Sequence, residues 1–149
     1  MGLIYFSGHW DIGNSAVGVK VITIANAKVN LTWVEAFTRG ILCNILVCLA
    51  VWLCFAGRTV VDKVLAILFP ITSFVAMGFE HSMANMYFIP AGLVAKQQPE
   101  MLSLSGTMNV ENLTIMNFLF NNLLPVTLGN IVGGSIFVGL FYWFIYLRD

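Results

Sequence analysis

Residues 64–95 read VLAILFPITSFVAMGFEHSMANMYFIPAGLVA, an apolar run that is interrupted near its middle by Gly78, Glu80 and His81. A helix needs about 20 apolar residues to cross the hydrocarbon core of a bilayer, and this run exceeds one straight crossing. A glycine and two ionisable side chains at that depth are typical of a discontinuous helix. The unwound backbone of such a helix is tolerated only beside protein or a water-filled cavity. The run therefore predicts a broken membrane-spanning helix.

The composition of the whole chain favours a membrane environment. Hydrophobic residues make up 59% of the chain and charged residues 9%, and the mean hydropathy is +0.88. Seven basic residues balance seven acidic ones. There is thus no basic field for nucleic acid and no polybasic segment that would draw the chain onto anionic lipid. The composition predicts an integral membrane protein and excludes nucleic-acid binding. Apolar runs of helical length, such as residues 64–95, make the predicted class all-α.

Two other stretches are apolar enough to cross a bilayer. Residues 31–56 are almost wholly apolar, and residues 123–147 end in an aromatic cluster that is typical of a membrane interface. Residues 1–8 are interpreted as the end of a further span. Residues 9–30 and 96–112 are polar and rich in turn-forming residues, which predicts extramembrane loops. With the broken helix, the sequence predicts about three complete transmembrane segments, the middle one broken.

His81 is the main candidate for chemistry. A charged group at the middle of a membrane costs about 2.5 to 3.5 kcal/mol on insertion scales unless it pairs or lines a pathway. His81 is therefore predicted to be a titratable group at the waist of a pore, where it attracts an anion or exchanges a proton with it. The alternative is a neutral histidine satisfied by backbone carbonyls. Glu80 is expected to support the break, because a carboxylate at the waist would oppose anion entry.

Small and amide side chains inside the spans have a packing interpretation. Gly129 and Gly133 are spaced for close helix contact, so helix packing is predicted for them. Asn44 and Asn85 could donate hydrogen bonds to a passing anion, or they could join helices by hydrogen bonds. For the two asparagines both alternatives stay open.

Apolar side chains near the predicted waist could reject hydrated ions. Phe74 and Phe79 precede the glutamate and histidine, and Val47 lies one turn from Asn44, so these side chains could form dewetting constrictions. Taken singly, each is more often lipid-facing or core packing. No nucleophile or metal cluster accompanies the two ionisable residues, and the three cysteines lack zinc-site spacing. No enzyme activity, metal or cofactor is predicted.

Several motifs resemble one family of membrane proteins. The stretch GFEHSMANM, residues 78–86, resembles the signature of the formate/nitrite transporter family, and it is most similar to that of formate channels. Residues 44–52, 88–90, 122–134 and 142–148 resemble the same family in the same order. The resemblance covers nearly the whole chain.

The resemblance implies an aquaporin-like helical bundle that assembles as a homopentamer, with one pore per subunit, in the bacterial inner membrane. It implies that residues 1–149 are the C-terminal part of a single transmembrane channel domain, without the family's first two segments. The second of those carries a loop that faces the histidine. The implied function is passage of formate or a similar small monovalent anion such as nitrite, hydrosulfide or acetate. A non-conducting truncated fragment is the alternative.

The resemblance also assigns roles to individual residues. Lys28 resembles a basic residue near the external vestibule that draws anions in, while Glu80 and Ser82 flank the histidine and are predicted to support it. Both termini of the family are cytoplasmic, which would place residues 9–30 and 96–112 in the periplasm. The implied pore comprises a central histidine, two lining amides and three constriction residues: His81, Asn44, Asn85, Val47, Phe74 and Phe79.

Overall fold

The computed structural model describes residues 7–13, 15–106 and 109–148. Among these residues there is no strand, so the predicted all-α class is confirmed. A single 3-10 turn, His9–Asp11, precedes the longer helices. The helices are α1 (Ala16–Val29), α2 (Trp33–Ala56), α3 (Val60–Ala76), α4 (Ser82–Ala95), α5 (Pro99–Leu104) and α6 (Ile115–Tyr146).

Two of the described helices, α2 and α6, are long and apolar enough to cross a bilayer by length and composition. Helix α6 begins at Ile115 rather than at residue 123, because Thr114 caps it by accepting a hydrogen bond from the Asn117 N–H at 3.2 Å. Residues 1–6, which make up most of the predicted first stub, lie outside the described residues.

The prediction that residues 9–30 form a loop is wrong, because helix α1 occupies most of this region. The location of this helix outside the membrane stays a prediction. Its buried residues, Gly18, Ile22, Ala25 and Val29, recur three or four positions apart and so share one face of the helix. The polar residues and glycines suggested turns, but helical periodicity was present beneath them.

The predicted break inside residues 64–95 is confirmed. Helix α3 ends at Ala76 and helix α4 begins at Ser82, with non-helical backbone between them. Pro70 and Pro90 lie inside the two helices rather than at the break. The chain therefore leaves the helical path only around the glycine, glutamate and histidine.

The end of α3 is closed by its own backbone. The Phe79 N–H donates to the Phe74 carbonyl at 3.0 Å, and the Gly78 N–H donates to the Val75 carbonyl at 3.1 Å. These two bonds form a Schellman motif, which satisfies carbonyls that would otherwise lack partners in an apolar environment. The motif needs a residue in the left-handed region, and Gly78 has a φ of 67°.

We expect Gly78→Ala to lower the free energy of unfolding by about 1 to 2 kcal/mol, because a Cβ is disfavoured in the left-handed region. The space around Gly78 is open, so the effect arises from the backbone alone. Thermal unfolding in detergent measures it. Gly139→Ala, inside α6, is the control and should not destabilise. Equal stability of the two variants would contradict this role of Gly78.

The start of α3 carries a capping box. The Asp62 N–H donates to the Thr59 hydroxyl oxygen at 3.1 Å, and the Asp62 carboxylate accepts from the Thr59 N–H at 2.9 Å. The Arg58 N–H also donates to this carboxylate, at 3.1 Å. The backbone N–H of Thr59, then its hydroxyl and the Arg58 N–H, hold the pKa of Asp62 below its usual range.

The lowered pKa makes the contribution of Asp62 to stability pH-dependent. It is complete above the usual carboxyl pKa of about 3.9 and is lost as the pH falls through the lowered pKa of the folded protein. We expect Asp62→Asn to be less stable than the wild type at pH 6 to 7, with the difference shrinking below about pH 4. Unfolding measured across an acid pH series tests this. A pH-independent difference would show that ionisation of Asp62 is irrelevant.

The chain divides into two compact units. The first comprises Met1–Trp33 and Met83–Leu124, and the second comprises Val34–Ser82 and Pro125–Asp149. A hydrophobic core holds the described part of the first unit together. Its buried residues are Trp10, Ile22, Ala25, Val29, Ile89, Ala91, Ala95, Met101 and Leu113.

The second unit contains a close approach between α2 and the second half of α6. A Cβ at Gly129 would overlap the carbonyl oxygen of Phe37, and a Cβ at Gly133 would overlap that of Ile41. These contacts confirm the predicted packing role of the two glycines, which allow one backbone to lie directly against the other.

Candidate functional site

His81 lies in the break, directly before the first residue of α4. Its imidazole is partly buried, and its ring centroid lies 6.0 Å from that of Phe74, with 30° between the ring planes. The Nδ1 atom is buried and has no hydrogen-bond partner among the described residues. The alternative of a neutral histidine satisfied by backbone carbonyls therefore has no support at Nδ1, because no described residue supplies a carbonyl there.

Asn130, on α6, holds the backbone on both sides of His81. Its Nδ2 donates to the carbonyl oxygens of Gly40, at 2.9 Å, and Glu80, at 3.0 Å. Its Oδ1 accepts from the Ser82 N–H at 3.0 Å. One buried carboxamide thus bonds three backbone groups, and it supplies the partner of the Glu80 carbonyl and the Ser82 N–H, which lie at the break where an apolar environment offers no water.

Sequence reasoning did not single out Asn130. An amide within a long apolar span is a signal in itself, by the same rule that selected His81. Its partners lie 90 and 50 positions away along the chain, at Gly40 and Glu80. The pattern could therefore have marked this residue as important without showing what it binds.

Asn44 also bonds to Asn130, and the hydrogen bonds of these two side chains form an amide network in the second unit. Its Nδ2 donates to the Asn130 carbonyl oxygen at 2.7 Å, which joins α2 to α6. This bond agrees with one of the two roles that the sequence left open for Asn44, that of joining helices. The other role, lining the pore, stays a prediction. The predicted constriction residues Val47 and Phe79 also lie in this unit and are partly exposed.

Glu80 is buried in the break, with 3% of its surface exposed. Its backbone N–H donates to the Arg39 carbonyl at 3.4 Å, and its carbonyl accepts from Asn130 at 3.0 Å. The backbone of Glu80 is thus anchored to two different helices. This arrangement favours the predicted supporting role, which stays a prediction.

The other two predicted site residues, Asn85 and Lys28, belong to the first unit. Asn85 is fully buried, and its Nδ2 donates to Asn122 Oδ1 at 2.7 Å. Asn122 Nδ2 in turn donates to the Lys28 carbonyl at 2.9 Å. The Lys28 ammonium lies 6.0 Å from the centroid of the Phe88 ring. Asn122, also missed by sequence reasoning, therefore links α4 and α6 to the end of α1.

The described features define a class of protein. Long helices with exposed apolar surface require a lipid environment or apolar partners, and α3 has no buried residue at all. A discontinuous helix with a histidine in its break is a feature of membrane channels and transporters. Among the described residues, no group of three or more histidine, cysteine or acidic side chains could hold a metal ion.

Comparison with known proteins identifies the family. The family model for formate/nitrite transporters matches residues 1–144. The chain belongs to the formate/nitrite transporter family.

Curated relatives within this family are named as channels or transporters. The chain is 46% identical to formate channel FocA of Escherichia coli K12, in an alignment that covers 99% of the chain and 53% of the relative. It is 46% identical to formate channel FocA of Haemophilus influenzae, over 93% of the chain and 50% of the relative. These names agree with the prediction of a transporter rather than an enzyme. The chain spans about half the length of the curated relatives it matches.

Two solved structures support the fold. One, described as a pentameric formate channel with formate bound, matches with a TM-score of 0.88 and 40% identity, over 99% of this chain and 59% of that chain. The other, described as an FNT family ion channel, has a TM-score of 0.71 and 34% identity, over 95% of this chain and 51% of that one. The predicted membrane-helical fold is confirmed.

Proposed function

We propose that this chain forms part of a pore that passes formate, or a similar small monovalent anion, across the bacterial inner membrane. The observation that carries the proposal is the partly buried imidazole of His81, which lies in a helix break with no partner for Nδ1 among the described residues. The named formate channels among the relatives support formate as the substrate. The pentameric description of a similar structure supports a homopentamer.

The proposed membrane topology is multi-pass. The complete crossings are helix α2, the broken pair α3 and α4, and helix α6. Residues 9–30 and 96–112 then lie in the periplasm, and residues 57–63 lie in the cytoplasm. On this proposal the chain is the C-terminal part of one channel domain.

The proposed mechanism assigns each site residue a step. Lys28 attracts the anion, the apolar side chains of Val47, Phe74 and Phe79 reject hydrated ions, and the amides of Asn44 and Asn85 donate to the passing anion. His81 supplies a positive charge or a proton. A neutral weak acid crosses an apolar constriction more easily than its anion, because desolvating a charge is expensive. Helix α4 starts beside His81, so its positive end further favours an anion there.

Anion uptake into proteoliposomes tests the proposal. We expect formate uptake above that of protein-free vesicles, faster at acid pH, with sulfate excluded. Nitrite, hydrosulfide and acetate, added one at a time as competitors, show which anion the pore accepts best. If the protein assembles as a pentamer yet takes up formate no faster than empty vesicles, the channel proposal is wrong and the non-conducting alternative is favoured.

A further inference from the structure

A groove lies on the outer surface of α6 near its C-terminal end. Leu140, Phe141 and Phe144 line it, and its volume is about 220 Å³. All three side chains are more than half exposed, at 53%, 57% and 56%. The lining is apolar, so water gains little there and a hydrocarbon chain fits its chemistry.

A cation lies beside Phe144, one of the three residues that line this groove. The guanidinium carbon of Arg148 is 4.9 Å from the centroid of the Phe144 ring, a cation–π contact. Among the residues in the described ranges, none supplies a carboxylate within ion-pair distance of Arg148. The cation–π contact engages the charge of the guanidinium, and its N–H groups can still donate hydrogen bonds to an anion.

The surrounding side chains indicate the depth of this site in the bilayer. Trp143 and Tyr146, on the same turn of α6, are 50% and 66% exposed. Exposed tryptophan and tyrosine near a helix end mark the level of the lipid headgroups. The residues that line the groove precede Arg148 along α6 and so lie deeper in the bilayer, where they face acyl chains. Arg148 then lies at the level of the lipid phosphates.

We propose that the groove and Arg148 form a binding site for an anionic phospholipid. One acyl chain lies along Leu140, Phe141 and Phe144, and the lipid phosphate accepts hydrogen bonds from Arg148. The planar guanidinium matches phosphate oxygens in geometry and charge. A zwitterionic lipid brings the same phosphate with an ammonium that competes for it. Because the chain has no polybasic segment, this preference depends on Arg148.

Native mass spectrometry of the lipid-stripped protein tests the site. The protein is titrated with phosphatidylglycerol or phosphatidylcholine of identical acyl chains, and bound lipids per subunit are counted. We expect the wild type to bind phosphatidylglycerol about fivefold more tightly, the contribution of one basic residue at a lipid surface. Arg148→Gln should remove this preference. Arg58→Gln, which removes an equal charge from an exposed position outside the groove, should retain it.

A second variant tests the acyl-chain groove. Phe144→Ala should weaken binding of both lipids several-fold, because it removes a wall that either acyl chain contacts. The proposal is overturned if Arg148→Gln keeps the preference, or if Arg58→Gln loses it to the same degree, since the effect would then be one of general charge. It is also overturned if Phe144→Ala changes the number of subunits but not the number of bound lipids, because a second copy of the chain would then cover the groove.

Discussion

In proteoliposomes, His81→Phe is expected to lower formate uptake at about pH 5 to 6 by at least tenfold and to flatten its pH dependence. Histidine is the side chain that ordinarily changes charge in this pH range, so its removal takes away both the positive charge and the exchangeable proton. A tenfold loss corresponds to about 1.4 kcal/mol of lost stabilisation along the path. The centroid of the Phe74 ring lies 6.0 Å from that of the His81 ring, so in this variant Phe74 would face a second apolar ring in place of the imidazole.

Two further variants separate charge from polarity. His81→Gln keeps hydrogen-bonding atoms but cannot titrate, so it should retain part of the uptake while losing the pH dependence. His9→Gln removes the other histidine of the sequence and should preserve both the rate and the pH profile. A His81→Phe protein with the rate and pH profile of the wild type would rule out the histidine mechanism.

The helix break could be predicted from sequence because each residue that marks it has a large and specific cost. Gly78 supplies the left-handed backbone, and Glu80 and His81 are ionisable groups in an apolar run. The close contacts of Gly129 and Gly133 could be predicted for a similar reason, since their spacing places both on one helix face. At these positions the residue type alone indicates the structural role, because few other residues could occupy the same place in the folded protein.

Other features depend on information that local sequence does not hold. Helix α1 was missed because its polar surface and glycines outweighed a buried face formed by Ile22, Ala25 and Val29. The amide network was missed because hydrogen-bond partners are set by tertiary packing. Asn130 reaches backbone groups far away in the chain, and an asparagine carries no sign of which groups it will bind.

The importance of this network leads to the second large effect. Asn130→Leu is expected to lower the free energy of unfolding by about 3 kcal/mol or more, and to abolish formate uptake. Leucine fills a similar volume but leaves the Glu80 carbonyl and the Ser82 N–H, both at the break, without this partner. The Gly40 carbonyl loses its second hydrogen bond and keeps the helical one within α2. Each buried polar group left unsatisfied costs about 1 to 3 kcal/mol, and the bilayer core offers no water to replace the bond.

A graded series distinguishes this effect from a general sensitivity of α6. Asn130→Asp keeps an acceptor for the Ser82 N–H but loses both donors, so its stability should be impaired as well. Asn121→Leu is the matched control, because Asn121 is exposed and, among the described residues, its side chain bonds only the partly buried Asn117. Its effect should stay within about 0.5 kcal/mol. Thermal unfolding in detergent and formate uptake measure all three variants. If Asn130→Leu is as stable and as active as Asn121→Leu, other contacts hold the backbone around His81, and the hydrogen bonds of Asn130 are dispensable.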